Sequence, residues 1–410
     1  MGRLVRRSKE VEVTMERGGR TTAACILVQA VGGGLGWSAL PAVMPEVARD
    51  LGLTRASSSA AFGAASLGIA LAAPLGGAAV DRLGPRRVAA AAMIFGAAAC
   101  AARAWAVGPL SLSVMMLLFG LHIGFVAPSL PKALAGALPL ARVARANGLA
   151  LLGYTLATAL VMLIGRTVLA PVLGGWRPLM LASAGAMVAS AAAFYATVRD
   201  GASLGAHAPL ADSLRMVREP GMRRVGAMHF LLFGGYLALL ATLPQLLTAA
   251  GLSKGKVGLC IAVWLTSAGV ANYAGPWVSD KIGSRRPLIL AGAVTAGAAL
   301  LAFAVVPKGV GWPLLAVAAL GGGSFAPLLL TAPLEMPRVG PARAGAALGL
   351  LMLVGQAGGF VVPVLSGVIS QGMGFSAGMA FLALVHLAIV VPALGLASAP
   401  KRTATLAASH

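Results

Sequence analysis

Apolar residues run in stretches of about 20 along nearly the whole chain, separated by short polar breaks. A helix of that length crosses a hydrocarbon layer about 30 Å thick. Twelve stretches are readable, starting near Thr22, Ser57, Val88, Leu110, Ala146 and Pro178, then near Val225, Val257, Pro287, Pro313, Arg343 and Phe375. The pattern predicts an all-α membrane protein with twelve transmembrane helices in two six-helix pseudo-symmetric bundles. The predicted organisation is a tail at 1–21, a first bundle at 22–199, a linker at 200–224, a second bundle at 225–399 and a tail at 400–410. Within the linker, Asp212 through Glu219 reads as a short surface helix ended by Pro220-Gly221.

A repeat supports this division. Asp81-Arg82-Leu83-Gly84-Pro85-Arg86-Arg87 returns as Asp280-Lys281-Ile282-Gly283-Ser284-Arg285-Arg286, an offset of 199 residues. The same offset carries Pro45 onto Pro244, Gly52 onto Gly251 and Leu53 onto Leu252. Two similar halves that rock against each other can expose one central site to either side, the usual build of a secondary transporter.

Composition agrees: of 410 residues 59% are hydrophobic and 10% charged, with mean hydropathy +0.89, far from a soluble domain. The net charge of +21 could suggest nucleic acid. The basic residues, however, fall in small groups on alternate loops without interleaved aromatic residues, which excludes that partner. Twenty-three of the 32 Lys and Arg lie on one side and six on the other. The excess predicts a multi-pass protein of the cell membrane with both termini and both repeated turns in the cytoplasm. The first span is too long for a signal-peptide core, so no cleavage is expected, and the Met1-Gly2 start lacks the Ser or Thr that myristoylation needs. Cys25, Cys100 and Cys260 fall inside spans as apolar fillers, not as a disulfide or metal set. No cofactor or metal is expected, and the chain reads as a monomer.

The sequence Gly77 to Arg87 resembles the signature loop of the major facilitator superfamily, with its degenerate copy between spans eight and nine. Gly174-Gly175-Trp176-Arg177 resembles that family's turn between helices five and six, and Gly345 to Pro363 resembles its helix eleven. The resemblance implies a transporter working by alternating access. It also implies that Asp81, with Arg82 and Arg86, helps latch the two halves on the inside, with Asp280 in the equivalent place. Physical chemistry allows the same role, since a carboxylate at a span end can meet a helix N-terminus or pair with an arginine across the bundle. Read plainly, the arginines are topology anchors. Gly32 to Gly36, Gly321 to Gly323, and Gly345 with Gly349 let helix backbones approach closely.

Polar or aromatic residues near mid-depth are the candidates to touch substrate: Trp37, His122, Tyr154, Tyr236, Trp264 and Gln356. The family's cavity-lining helices favour Trp37, His122 and Tyr236, and Trp37 and Tyr236 are repeat partners. His122 is the candidate proton carrier, with a histidine satisfied by a backbone carbonyl as the plainer alternative. Arg166 lies inside span five. Either it snorkels to the interface, or, with no mid-span carboxylate to neutralise it, it faces the cavity and holds an anion. Arg103 and Lys132 are more simply read as interfacial.

The absence of a membrane-embedded acid argues against export of cations, because Glu46 and Glu335 lie at span ends. It favours an anionic or neutral small-molecule solute, with protons as the candidate coupling ion and lipids as the surroundings. Gly124 to Gly136, with Pro128-Ser129-Leu130-Pro131-Lys132, loosely resembles cyanate and nitrate type anion porters, although spans two and eight lack the paired arginines of the nitrate porters. A multidrug exporter is the alternative. An enzyme is not expected: Gly201-Ala202-Ser203-Leu204-Gly205 fits a nucleophile elbow in letters but has no strand before it.

Overall fold

The computed structural model describes residues 16–200, 216–306, 311–336 and 344–396. Among them every regular element is helical, as expected where lipid offers no partner for backbone N–H and C=O groups. Eleven helices are long and apolar enough to cross a membrane. We number them α1 (Glu16–Ala42), α2 (Arg55–Leu83), α3 (Pro85–Trp105), α4 (Pro109–Ala135), α5 (Arg145–Leu173), α6 (Trp176–Thr197), α7 (Pro220–Ala249), α8 (Lys254–Ile282), α9 (Arg285–Val305), α10 (Trp312–Thr331) and α11 (Ala347–Leu394). The last spans 48 residues and is broken at Gly374, whose φ of 84° and ψ of −171° no helix contains. Where the sequence starts separate spans near Arg343 and Phe375, the structure has this one long run with a glycine break.

The linker differs from expectation at its end. Pro220 opens α7 at its N1 position instead of closing a surface helix, because proline's missing N–H and fixed φ suit a helix start. Helix α7 thus starts five residues before Val225, where the sequence places the seventh span. A 3-10 turn, Met216–Arg218, precedes it, and 201–215, which hold the serine motif and the first half of the predicted surface helix, lie outside the described residues. So do the outer parts of both tails.

Packing repeats with the sequence. In the first half α1 packs on α5, α2 on α4, and α3 on α4 and α6. In the second, α7 packs on α11, α8 on α10, and α9 on α10 and α11. The halves join along two seams that the same repeat relates, α2 with α11 and α5 with α8.

Glycines set the close approaches. A Cβ at Gly76 would sit 2.4 Å from the Gly124 carbonyl of α4, and one at its repeat partner Gly275 would sit 1.7 Å from the Ser324 carbonyl of α10. Along α2, Ser59 meets Gly367, Gly63 meets Phe360 and Ser66 meets Gly359 of α11. Farther along the same face, at i+4 spacing, Pro74 and Ala78 are exposed. Along α8, Gly258 lies on the Met162 and Leu163 carbonyls and Gly269 on Thr155 of α5, while Tyr273 and Trp277, next on that face, are 89% and 61% exposed. The halves thus meet at the end that carries Arg166 and part towards the end that carries Asp81.

Arg103 is fully buried and not interfacial. Its Nη1 donates to the Gly36 carbonyl at 2.9 Å, and its guanidinium lies 3.8 Å from the Phe119 ring centroid. It thereby holds the end of a π-helical segment of α1, Gln29–Gly36, where helical bonding is irregular.

Gly275→Ala and Gly76→Ala should each destabilise the bundle by about 1–3 kcal/mol through overpacking, measured as a fall in detergent melting temperature. Gly255→Ala, where nothing lies within 4 Å of the new Cβ, should leave it unchanged.

Candidate functional site

Three groups of polar residues are distinguishable: at the Arg166 end, at mid-depth, and at the Asp81 end. The first is the most strongly charged. After α1, a short helix Met44–Asp50 starts with Pro45 near its N-terminus and carries Glu46 in its first turn, where a carboxylate suits the helix dipole. Arg166 sits in a π-helical segment of α5, Gly165–Leu169, which rotates it relative to a regular helix. Arg166 Nε donates to Glu46 Oε1 at 2.7 Å, and Arg166 Nη1 donates to Thr248 Oγ1 of α7 at 2.7 Å. The same carboxylate oxygen lies 3.6 Å from Lys254 Nζ of α8 and 3.8 Å from Arg49 Nη2.

Beside this cluster a cavity of about 450 Å³ opens between the halves, lined by Arg49, Arg55, Arg166, Lys254, Gln245 and Thr248 among others. Its charge is lopsided: four cations line it, and the Glu46 carboxylate beside it is shared by three of them, Arg49, Arg166 and Lys254. Arg55 also donates to the Ser370 carbonyl of α11, and Gln371 accepts from the Ala56 N–H.

Two sequence expectations for Arg166 change here. Its side chain is buried, only 6% exposed for the residue, so it does not snorkel. Nor is it without a carboxylate, because Glu46, 120 residues earlier, is brought to it by the turn after α1. The cavity also follows the repeat. Glu46 and Gln245, Arg49 and Thr248, and Arg55 and Lys254 are each 199 residues apart. Extending the register of Pro45 and Pro244 through the intervening loop would have found Glu46, Thr248 and Lys254 from the sequence.

At mid-depth the hydroxyls of Tyr154 on α5 and Tyr236 on α7 meet across the two halves. Trp264 of α8 stacks on Tyr236 with centroids 5.2 Å apart, and Phe233 and His229 extend the series along α7 at 6.3 and 5.7 Å. Gln29, a residue sequence reasoning passed over, lies beside Tyr154. A Cβ at Gly33 would fall 2.8 Å from the tyrosine ring and 3.2 Å from Gln29 Oε1, so Gly33 keeps that face of α1 open.

The other mid-depth candidates lie apart from this group. Trp37 packs on Phe62 and Phe119. Its Nε1, like Gln356 Oε1 on α11, is buried without a hydrogen-bond partner among the described residues. His122 is enclosed within the first half, its ring against Phe119 and against Gly96 of α3. Its Nδ1 bonds the Phe119 carbonyl. A carbonyl only accepts, so Nδ1 carries the proton and Nε2 is the acceptor nitrogen of the neutral ring.

At the third group Asp81 pairs with Lys132 of α4. The pair fastens α2 to α4 inside the first half, where the sequence suggests an arginine or a helix N-terminus across the bundle; Lys132 is thereby a partner and not a plain interfacial charge. The halves have parted at this end, and the short reach from α2 to α4 is made. The Arg86 N–H donates to Asp200 Oδ1 at 2.9 Å, its Nε donates to the Tyr195 carbonyl at 2.7 Å, and its guanidinium lies over the Tyr195 ring. These contacts tie the turn to the end of α6. Arg82 and Asp280 are exposed, and Lys281 covers the Trp277 ring.

A sequence model of the Major Facilitator Superfamily matches residues 26–363 and 225–409. Two curated relatives, each described as a probable nitrate/nitrite transporter NarK2 and coming from two strains of Mycobacterium tuberculosis, are 28% identical over 183 residues, 42% of this chain. The match spans 44% of the length of those relatives. Among solved structures, an inward-facing, occupied bacterial homologue of the human lysosomal transporter Spinster superposes with a TM-score of 0.75 at 16% identity, covering 91% of this chain and 94% of that one. The nucleoside transporter NupG superposes with a TM-score of 0.75 at 15% identity, covering 91% and 98%. At these identities the superpositions describe the fold alone.

Asp81→Asn and Lys132→Gln should each lower stability by leaving a half-buried charge without its counter-charge. In a double-mutant cycle the pair should couple by about 1 kcal/mol, between the values of exposed and buried pairs. Thermal unfolding of the four proteins in detergent measures this coupling directly.

Proposed function

Because the chain belongs to the major facilitator superfamily, a family of multi-pass membrane transporters of small solutes, we propose that it carries a small anion across the membrane by alternating access. The observation that carries this reading is the cavity at the Arg166 end, lined by the four cations Arg49, Arg55, Arg166 and Lys254, three of which share the neighbouring Glu46 carboxylate. Such a surplus of positive charge in a partly desolvated recess attracts anions far more strongly than the same charges in bulk water. The Mycobacterium relatives are described as probable nitrate/nitrite transporters, which supports the same class of solute.

In this reading the Arg166 end is extracellular, following the distribution of Lys and Arg, and the halves are closed outside and open inside. The anion passes from the cavity to mid-depth, where the Tyr154 and Tyr236 hydroxyls can donate to it and Gln29 can add an amide N–H. Trp264 backs Tyr236 and holds its ring. Trp37 Nε1 and Gln356 Oε1 are the remaining buried groups with hydrogen-bonding capacity to offer. We assign His122 to packing, since its ring is enclosed within the first half against Phe119 and Gly96, apart from the cavity between the halves. Asp81, Arg82, Arg86 and Asp280 act at the inner end, where the repeated turns stiffen each half for rocking.

A second reading, export of amphipathic compounds, draws on the stacked series His229, Phe233, Tyr236 and Trp264, since such a series accepts flat apolar ligands as readily as it backs an anion site.

Uptake of labelled nitrate, nitrite and small carboxylates by proteoliposomes, set beside efflux of a lipophilic cationic dye, separates the two. Anion flux without dye flux is the expected result, and the reverse would replace the anion reading with the export one. Arg166→Gln should reduce anion uptake by about ten-fold or more through loss of charge. Arg166→Lys should recover only part of it, because lysine cannot bond Glu46 and Thr248 with a planar fork.

A further inference from the structure

We infer that the Glu46 carboxylate is a resident anion: it occupies the cations of the cavity in the absence of substrate, straps the halves together at the Arg166 end, and is displaced from them by the transported anion. This rests on the anion reading above and adds a mechanism for opening that end.

Four observations converge on it. Glu46 Oε1 is shared by Arg166 of the first half, at 2.7 Å, and Lys254 of the second, at 3.6 Å, so one oxygen bridges the two halves. Arg166 doubles the bridge by donating to Thr248 across the same gap. The second carboxylate oxygen, Oε2, is buried and has no hydrogen-bond partner among the described residues, so the carboxylate is held through one oxygen only. Finally, the repeat supplies cations from both halves, Arg55 and Lys254, but an acid from only one, because the position equivalent to Glu46 is Gln245.

These features differ from those of a purely structural ion pair. A structural pair gains by satisfying both oxygens and by neutralising its surroundings. Here one carboxylate is shared by three cations beside an open cavity of about 450 Å³ that a fourth, Arg55, also lines, and a surplus of positive charge remains for a second anion. A small planar anion entering the cavity presents the same kind of oxygen acceptor to the Arg166 fork as Glu46 does. Once it takes the fork, Glu46 loses its strongest partner and the bridge from Glu46 to Lys254 is left as a long, solvent-accessible contact. Only a ligand with different affinities for the two states can shift their balance. Competition with a strap that exists in one state alone supplies that difference.

The full-length protein tests this in proteoliposomes. Spin labels at Val172→Cys and Gly255→Cys, exposed positions on opposite halves, report the separation at this end, with the three native cysteines buried. Without any anion, Glu46→Gln should shift the distance distribution to longer values. In the protein with native Glu46, nitrate should produce the same lengthening, and in Glu46→Gln nitrate should add little. The apparent KM for nitrate uptake should fall about 2- to 5-fold in Glu46→Gln, the range expected on removing one partly exposed ionic competitor.

An unchanged distribution in Glu46→Gln would overturn the strap. A longer distribution in Glu46→Gln, together with nitrate that is transported yet leaves the native distribution unmoved, would overturn displacement. If neither nitrate, nitrite nor any small carboxylate is taken up, the anion reading fails on its own assay, and displacement falls with it.

Discussion

One carboxylate oxygen marks the charged end of the boundary along which the two halves meet. Each half is a self-contained bundle, packed through its own glycine contacts, and the seams between halves are built of small residues that touch without interlocking. Glu46 Oε1, reached by Arg166 from one side and by Lys254 from the other, links the halves across that boundary, beside the bonds from Arg166 to Thr248 and from Arg55 to the Ser370 carbonyl. The position of Glu46 follows from local chemistry: α1 ends at Ala42, a new helix begins at Met44 with Pro45 in its first turn, and that first turn suits an acid. Moving the acid by one residue on this short helix would turn it about 100° away from Arg166.

The seams show why such a link is needed. Gly63 against Phe360, Gly359 against Ser66 and Gly258 against the carbonyls of α5 are close contacts of small groups. In a membrane they gain little from the hydrophobic effect, because lipid is as apolar as the helix surface. Within each half, by contrast, backbones approach so closely at Gly76 and Gly275 that no other residue fits. The result is two stiff bodies with a soft boundary, the mechanical condition for rocking, with charge and hydrogen bonds concentrated at one end of the boundary.

Much of this was legible in the sequence. Span lengths, the 199-residue repeat and the signature turn gave an all-helical, duplicated membrane bundle, and the family match agrees. Helix starts were less legible. Pro220 reads as a stop when its neighbours are polar, yet proline is equally at home at the first position of a helix. Pairings over long sequence distance were not legible at all. Arg166 and Glu46 are 120 residues apart, and no periodicity links a residue in a π-helical segment to one on a separate short helix. Asp81 was readable as an acid needing a partner, but its choice of Lys132 depends on how far the halves have parted. Arg103 looks interfacial by its place in the span, and only the close packing of α1, α3 and α4 turns it inward onto Gly36 and Phe119. Tyr154 and Tyr236 were found as polar residues at depth, and their meeting is a property of the fold.

Tyr273 and Trp277 lie on the same face of α8 as the glycines that touch α5, yet both stand clear of it. On the alternating-access reading proposed above, bringing the halves together at that end would bury this exposed aromatic surface, an apolar process that strengthens on warming and carries a negative heat-capacity change. The opposite end is held by ions and hydrogen bonds, which dissolved salt screens over distances of about 8 Å at physiological ionic strength. The two closed states therefore answer to different physical variables. Salt weakens one and heat strengthens the other, so both shift the balance towards the state closed at the Asp81 end, and the slower step of a transport cycle could be recognised by which variable it follows.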